Sequence, residues 1–506
     1  MKRKLFYILA FAAFFASVSF VSEVNAAELE ESWVRSHNFG ATSHQWVTDT
    51  AVDSKGNIIV TGWADTGTDI GSHTIKYSSD GSYLGSHFNT NLVNDAIKIQ
   101  AGLNGESYIV TPEGLVIKYG DTVNKLWDSS FIADYFGGYT YMVGSSVGTD
   151  GSFYVSAFGF KDTDSFFDHQ VLTVKFQQGS TGTPIWHKSK GGLPIHWANK
   201  PAVHVSTNGN VFVSAGNRLL TYSSDGLVLS DFQSRNTSSL DVRGTDNGSI
   251  YAVDIYFNIV KYDLIGILDW HVKEPGASAL FIDIDSSGNV YAGGNGNSVA
   301  LGKKYSSVDG ADLGTATYGS NFTWMNDGVY DGLGNIFTTG FYYNTITGTY
   351  DALTVKLNAE TGEAVPYYYD LGALEMMITV STDSTGSVYG GGYTGAWSVE
   401  KNKYLNSYLT VKYSEPATHG KCEPILALME LLSSSNIEHK GMLSSLGSKL
   451  ESAHKKCLAG NNKTAVNILE AFINELEAQS GKKVPDEVSV LLIEAAEGAI
   501  EVLSGF

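Results

Sequence analysis

The side chains best suited to chemistry in this chain are scattered, aromatic and acidic rather than gathered into a recognisable catalytic motif. His44 and His196 stand just ahead of Trp46 and Trp197, where an imidazole beside an indole serves either as a proton carrier or as a polar loop residue. Trp63, Tyr141, Trp324, Tyr343 and Trp397 extend the aromatic set, with Asn, Asp and His close by. Flat apolar rings rimmed by hydrogen-bonding groups are what a sugar ring requires, so these nine residues are the candidate ligand-binding set. Each aromatic taken singly also reads as packing between structural units. Asp65 with Asp69 and Asp162 with Asp164 are candidate calcium ligands, although neither pair has the full oxygen spacing of an EF-hand loop. There is no His-Glu-x-x-His and no nucleophile elbow, and both cysteines fall in the tail, so no catalytic residue is assigned and no cofactor is predicted.

The elements that must position these groups repeat. Turn glycines recur at Gly56, Gly105, Gly151, Gly209, Gly248, Gly288, Gly334 and Gly386, roughly forty to sixty residues apart, the range of four-stranded propeller blades. The clearest turns read Asp53-Ser-Lys-Gly56-Asn57 and Asp285-Ser-Ser-Gly288-Asn289, where Asp accepts turn amides and Gly or Asn supplies positive φ. An apolar strand follows each turn. The next strand ends at Lys76-Tyr77, Lys118-Tyr119, Lys175-Phe176, Thr221-Tyr222, Lys261-Tyr262, Lys304-Tyr305, Lys356-Leu357 and Lys412-Tyr413. The recurrent lysine reads as a solvated position on an outer strand. Fourth strands open with Trp127, Trp186 and Trp270, yet nothing comparable follows Tyr413. Trp33-Val-Arg-Ser-His-Asn-Phe39-Gly40 looks like a fourth strand without a blade, and pairing it with the strand ending at Tyr413 would close the ring.

These units resemble the secreted bacterial β-propellers built of SBBP-type repeats, with their Asp-x-x-Gly-Asn turn and terminal Lys-Tyr or Lys-Phe. Gly102, Gly148 and Thr245 replace the first Asp in blades two, three and five, so the aspartates do not form an eight-fold functional ring. The stretch Thr181-Gly-Thr-Pro-Ile-Trp186 is similar to the docking repeat of eight-bladed quinone-dependent dehydrogenases, but it occurs once where that family repeats it. The expected fold is an all-β propeller of eight four-stranded blades over residues 32–413. The separation of each turn glycine from its strand-end lysine is long in blades seven, eight and one, and separately in blade three. These predict long aromatic loops on one sector of the mouth.

Residues 1–26 read as a secretory signal peptide: Lys2-Arg3-Lys4, an apolar run from Leu5 to Val21, and Val24-Asn25-Ala26 before the cut. The expected location is secreted or periplasmic, as a monomer without a membrane span. The formal net charge is −20, and the leader carries more basic than acidic groups, so the mature chain is more acidic still. Such a surface disfavours nucleic acid.

After a linker over 414–421 the period changes from two to 3.6, and residues 422–506 read as a four-helix bundle. The expected inward stripes are Ile425, Leu428, Met429 and Leu432; Leu443, Leu446, Leu450, Ala453 and Cys457; Ala465, Leu469, Phe472, Ile473 and Leu476; and Val488, Leu492, Ala495, Ala499 and Val502. Lys449-Leu450-Glu451-Ser452-Ala453, Gly460-Asn461-Asn462, Ala471-Phe472-Ile473-Asn474 and Gly481-Lys482-Lys483 resemble the FIMAH domain, which implies a module appended to exported enzymes and binding proteins. Cys422 and Cys457 are the only cysteines, and in an exported protein such a pair reads as a disulfide.

Two functions fit these residues. One is an exported non-catalytic binding or cell-surface interaction protein that holds a glycan or an envelope protein at the propeller mouth. The alternative is a propeller-type extracellular enzyme, a lyase or hydrolase acting on glycans.

Overall fold

The computed structural model describes residues 30–504 apart from segments 39–43, 91–97, 161–168, 194–200, 236–238, 320–322, 370–373, 399–402, 415–421 and 459–461 and Ile346, Ser384, Ser434, Asn436 and Glu438. The expected leader and its cut therefore lie outside the described residues.

Eight four-stranded antiparallel sheets form the propeller. Blade one is typical: His44–Val52 is its innermost strand, followed outward by Ile58–Asp65, Ile70–Tyr77 and Tyr83–Asn89. The turn between the first two strands follows from its residues. Asp53 Oδ1 accepts the amides of Lys55 at 2.9 Å and Asn57 at 3.0 Å, while Gly56 takes a φ of +75°. The same Asp cap recurs at Asp285, Asp331 and Asp383. Successive innermost strands lie beside one another around the ring. Burial follows the same logic, because second and third strands are covered on both faces and read as near-continuous apolar runs, as in Ile58–Asp65 and Phe153–Gly159.

Ring closure matches the expectation from Trp33. Blade eight comprises Leu374–Thr382, Val388–Ser398 and Lys403–Ser414, and its fourth strand is Glu30–His37 from the amino-terminal end. Trp33 lies opposite Lys412 and Val34 opposite Val411. The strand begins three residues earlier than the tryptophan signal suggests.

The repeated lysine is not solvated, which corrects the expectation. Lys76 is 1% exposed, and Lys118, Lys175 and Lys356 are buried as well. In four blades the ammonium also reaches a backbone carbonyl of the next blade. Lys118 Nζ donates to the Gln178 carbonyl at 2.6 Å, Lys175 to Ser224 at 3.0 Å, Lys261 to Ser307 at 2.9 Å and Lys412 to Ser79 at 3.0 Å. The opening tryptophan of the fourth strand reaches the same oxygen. Trp33 Nε1 meets Ser79, Trp186 meets Ser224 and Trp270 meets Ser307, at 3.0, 3.0 and 3.2 Å. One carbonyl of the neighbouring blade is thus held by two donors. The ammonium also lies over the ring of a second-strand tyrosine, 5.3 Å for Lys118 and Tyr108 and 5.2 Å for Lys412 and Tyr389, a cation–π contact strengthened by burial. The indole needs a side-chain-free turn beneath it. At Gly81 a Cβ would come within 2.8 Å of Trp33. Strands alternating by twos cannot reveal this, since the partner carbonyl belongs to the adjacent repeat.

The closing strand also brings histidines together. His37 lies 5.5 Å from His73 of blade one, which is 6.1 Å from Tyr408 of blade eight. Burial pushes the His73 imidazole down to about 2, with the nearby His37 and His87 adding to the effect. Burial likewise lowers His204 to about 3. The unfolded chain binds these protons near pH 6.5, before the native ring does, so the associated stability is complete above that pH and is lost as pH falls below it. Each such histidine contributes a slope of up to about 1.4 kcal/mol per pH unit. Melting temperature is expected to fall between pH 7 and pH 5, and His73→Gln should flatten that fall; a curve identical to the parent's would refute the assignment.

The tail contains helices Glu423–Ser433, Lys440–Leu458, Asn462–Gln479 and Asp486–Ser504, each packed on two others in a closed four-helix arrangement. Ile425, Leu446, Leu469, Phe472 and Leu492 are fully buried at its centre. The fourth helix is turned slightly from the expected stripe: Ala496 and Leu503 are buried, whereas Val502 is 42% exposed. Gly481, with φ +68°, follows the third helix where a stop was expected. Cys422 and Cys457 form the disulfide, with Cα atoms 5.8 Å apart and a sequence separation of 35. Closing a loop of that length stabilises by about 3–4 kcal/mol in the chain-entropy model. Reduction is expected to lower the bundle's denaturation midpoint and leave the propeller's unchanged, as separate circular-dichroism transitions would show.

Candidate functional site

The ring axis carries a cavity of about 910 Å³ lined by the innermost strands of all eight blades. The slot seven residues before each turn glycine contributes Asp49, Lys98, Asp241 and Asp327 to this wall. These carboxylates tie blades together. Asp49 Oδ2 accepts the Ile99 amide at 2.9 Å, Asp241 Oδ2 that of Ile282 at 3.2 Å and Asp327 Oδ2 that of Val380 at 3.0 Å, each from the next inner strand. Arg243 Nη1 is 2.8 Å from Asp241, and its Nε is 3.3 Å from Asp283. Asp49, 3.7 Å away, holds the Lys98 ammonium above its ordinary range, whereas burial pushes the Asp327 carboxyl up. The wall is therefore a lattice of four carboxylates and two cations, engaged with one another or with neighbouring backbone. Among the described residues no group of three His, Cys, Asp or Glu side chains is placed to hold a metal ion. Asp65 Oδ1 accepts the amide of Gly67, and Asp69 Oδ2 the hydroxyl of Thr68.

Above the channel, strand pairing brings the beginnings of the inner strands to the same end of the ring as the hairpins between second and third strands. Trp46 is opposite Trp63, and their rings stack at 4.4 Å with 20° between planes. Trp324 is opposite Phe341 and 54% exposed. Tyr343 is opposite Tyr350, with ring centroids 5.2 Å apart. His44 pairs with Asp65 in backbone register, Trp397 pairs with Tyr404, and Tyr141 lies in the inner strand Thr140–Val147; the side chains of His44, Tyr141 and Trp397 are outside the described residues. His196, Trp197, Asp162 and Asp164 are outside them too. The structure thus places part of the aromatic set at one end of blades seven, eight and one, which are neighbours once the ring closes.

The added length in blades seven and eight corrects the expectation of long loops. It is strand: Asn335–Asn344 pairs with Thr349–Asn358 up to Asn344 opposite Thr349, and Val388–Ser398 pairs with Lys403–Ser414 up to Ser398 opposite Lys403. Two extended hairpins consequently rise at this end. Residue counts alone do not separate strand from loop.

The charged wall escaped the sequence reading: Asp49, Lys98, Asp241, Arg243, Asp283 and Asp327 were not singled out, although the slot seven before the turn glycine would have flagged four of them. Ile255 lines the cavity, and the adjoining Tyr256 is 52% exposed. They sit on a turn where Asp254 Oδ1 accepts the amides of Tyr256 at 2.9 Å and Asn258 at 3.0 Å, and where the buried Phe257 takes a φ of +56°. A positive φ at an aromatic residue is a strained conformation that its surroundings must enforce.

The chain is a β-propeller. Among solved structures it is similar to the C-terminal WD40 domain of Sif2, with a TM-score of 0.53 and 8% identity over 76% of this chain and 98% of that domain. It is also similar to the quinohemoprotein alcohol dehydrogenase from Comamonas testosteroni, with a TM-score of 0.50 and 11% identity over 76% of this chain and 77% of the enzyme. Likeness at these identities is of fold alone. No family model and no curated protein matches the sequence.

Proposed function

We propose that this protein is an exported, non-catalytic binding protein that holds a glycan or a cell-envelope protein at the aromatic end of the propeller. The observation that carries the reading is the occurrence of the stacked Trp46–Trp63 pair of blade one and the exposed Trp324 and Tyr343–Tyr350 hairpin of blade seven at the same end of the ring, on the two blades that flank blade eight. The channel beneath offers charges already engaged with each other or with neighbouring backbone, which suits structure better than proton transfer. Resemblance of the repeats to SBBP units and of the tail to FIMAH supports the same reading, as does the leader-like amino terminus. Among the described residues no helix is long and apolar enough to cross a membrane.

The test is retention of the chain from residue 27 onward on polysaccharide and cell-envelope matrices, with and without calcium. Retention is expected, and the triple change of Trp46, Trp324 and Trp397 to Ala should weaken it by roughly tenfold or more. No reducing ends or unsaturated sugars should appear. Product formation abolished by changing His44 or His196 would establish the glycan-active enzyme instead.

A further inference from the structure

We infer that the ligand at this end is an uncharged polysaccharide, and that its main subsite is the side of blade seven's extended hairpin formed by Trp324, Phe341, Tyr343 and Tyr350. This rests on the binding reading above and names its ligand class and place. Directly opposed residues of an antiparallel pair share a face, as do residues two apart in one strand. Trp324 opposite Phe341, and Tyr343 opposite Tyr350, therefore put four aromatic residues on one side of the hairpin. Tyr350 stands edge-on to Phe341 at 5.4 Å, and it is 40% exposed. Rows two residues apart are separated by ~7 Å along the strand, so more than one sugar unit can meet a ring.

The opposite side of the hairpin braces it. Tyr342 lies edge-on to Tyr368 at 4.7 Å, and the Tyr368 hydroxyl is hydrogen-bonded to that of Tyr318 in blade six. Asp351 is fully buried on this rear side, where Asn344 Nδ2 donates to it at 2.8 Å and Thr349 Oγ1 at 3.0 Å. The acid nearest the tip is thereby turned away and satisfied. On the other side the exposed Trp324 and Tyr350 and the half-buried Phe341 and Tyr343 present rings and phenolic hydroxyls, and none of these four side chains is charged. Such a wall offers stacking and neutral hydrogen bonds, and it offers no cation for a uronate or phosphate. The net charge of −20 opposes polyanions further.

The experiment compares retention of the chain from residue 27 onward on cellulose, chitin and mannan with retention on alginate and polygalacturonate at low and moderate salt. At least one neutral polymer is expected to bind, and neither polyanion. The double change Tyr343→Ala with Tyr350→Ala should weaken neutral binding about tenfold, while the corresponding Phe pair keeps it within about twofold. Preference for a polyanion overturns the ligand class. Neutral binding that survives the alanine pair but is lost in Trp46→Ala overturns the subsite and leaves the binding reading standing. If no polysaccharide is retained the inference falls, and the broader reading falls with it only when envelope fractions are not retained either.

Discussion

Lys76→Met is expected to destabilise the propeller by about 3–5 kcal/mol, the usual cost of removing one partner from a buried ion pair. Lys76 Nζ is 2.9 Å from Asp53 Oδ2 and 2.8 Å from Asp121 Oδ1, and it donates to the Gly105 carbonyl at 2.9 Å. The Lys76 and Asp53 side chains are 1% and 0% exposed. Burial by itself would raise the Asp53 carboxyl, but hydrogen bonds from Lys76 and Asn57 outweigh it and hold that group below its ordinary value. Without the ammonium, a buried carboxylate stays on blade one and an orphaned carbonyl on blade two. Urea unfolding measures the loss. Pairing Lys76→Met with Asp53→Asn should recover part of it, because the uncompensated charge is then gone; a single change costing under about 0.5 kcal/mol would show that the contact is superficial.

Deleting residues 30–38 should cost at least as much as the ~3–5 kcal/mol of emptying a buried tryptophan site. Trp33 is 8% exposed among Tyr77, Tyr389 and the turn at Gly81, and its indole shares the Ser79 carbonyl with Lys412. Arg35 Nε adds a bond of 2.6 Å to the Gly81 carbonyl. The truncation bares the edge of Lys403–Ser414 and cuts a contact between first and last blades, so calorimetry should show a lower and broader transition with a tendency to aggregate. Melting close to that of the parent would contradict closure by this strand.

Much of the ring is legible in sequence because its determinants are local: Asp53 and Gly56 make a turn wherever they stand, and Trp33 announces a fourth strand without its blade. The tail is legible for a similar reason, the apolar period placing Leu446, Leu469 and Phe472 inside, although a rotation of the last helix exchanges Val502 for Leu503. What escaped depends on neighbours. Lys76 and Lys412 look solvated until the next blade's carbonyl is laid over them. Arg243 acquires meaning only when eight inner strands converge, and the reach of Tyr343 and Tyr350 depends on strand pairing that residue spacing does not disclose.

Oxidative footprinting of Trp and Tyr side chains, with and without the polysaccharide or envelope fraction that retains the protein, tests the location of binding most directly. Protection is predicted at Trp46, Trp63, Trp324, Tyr343 and Tyr350, with Tyr83 and Tyr256 unchanged. Protection confined to the outer strands, or none at the aromatic end of blades seven, eight and one, would contradict it.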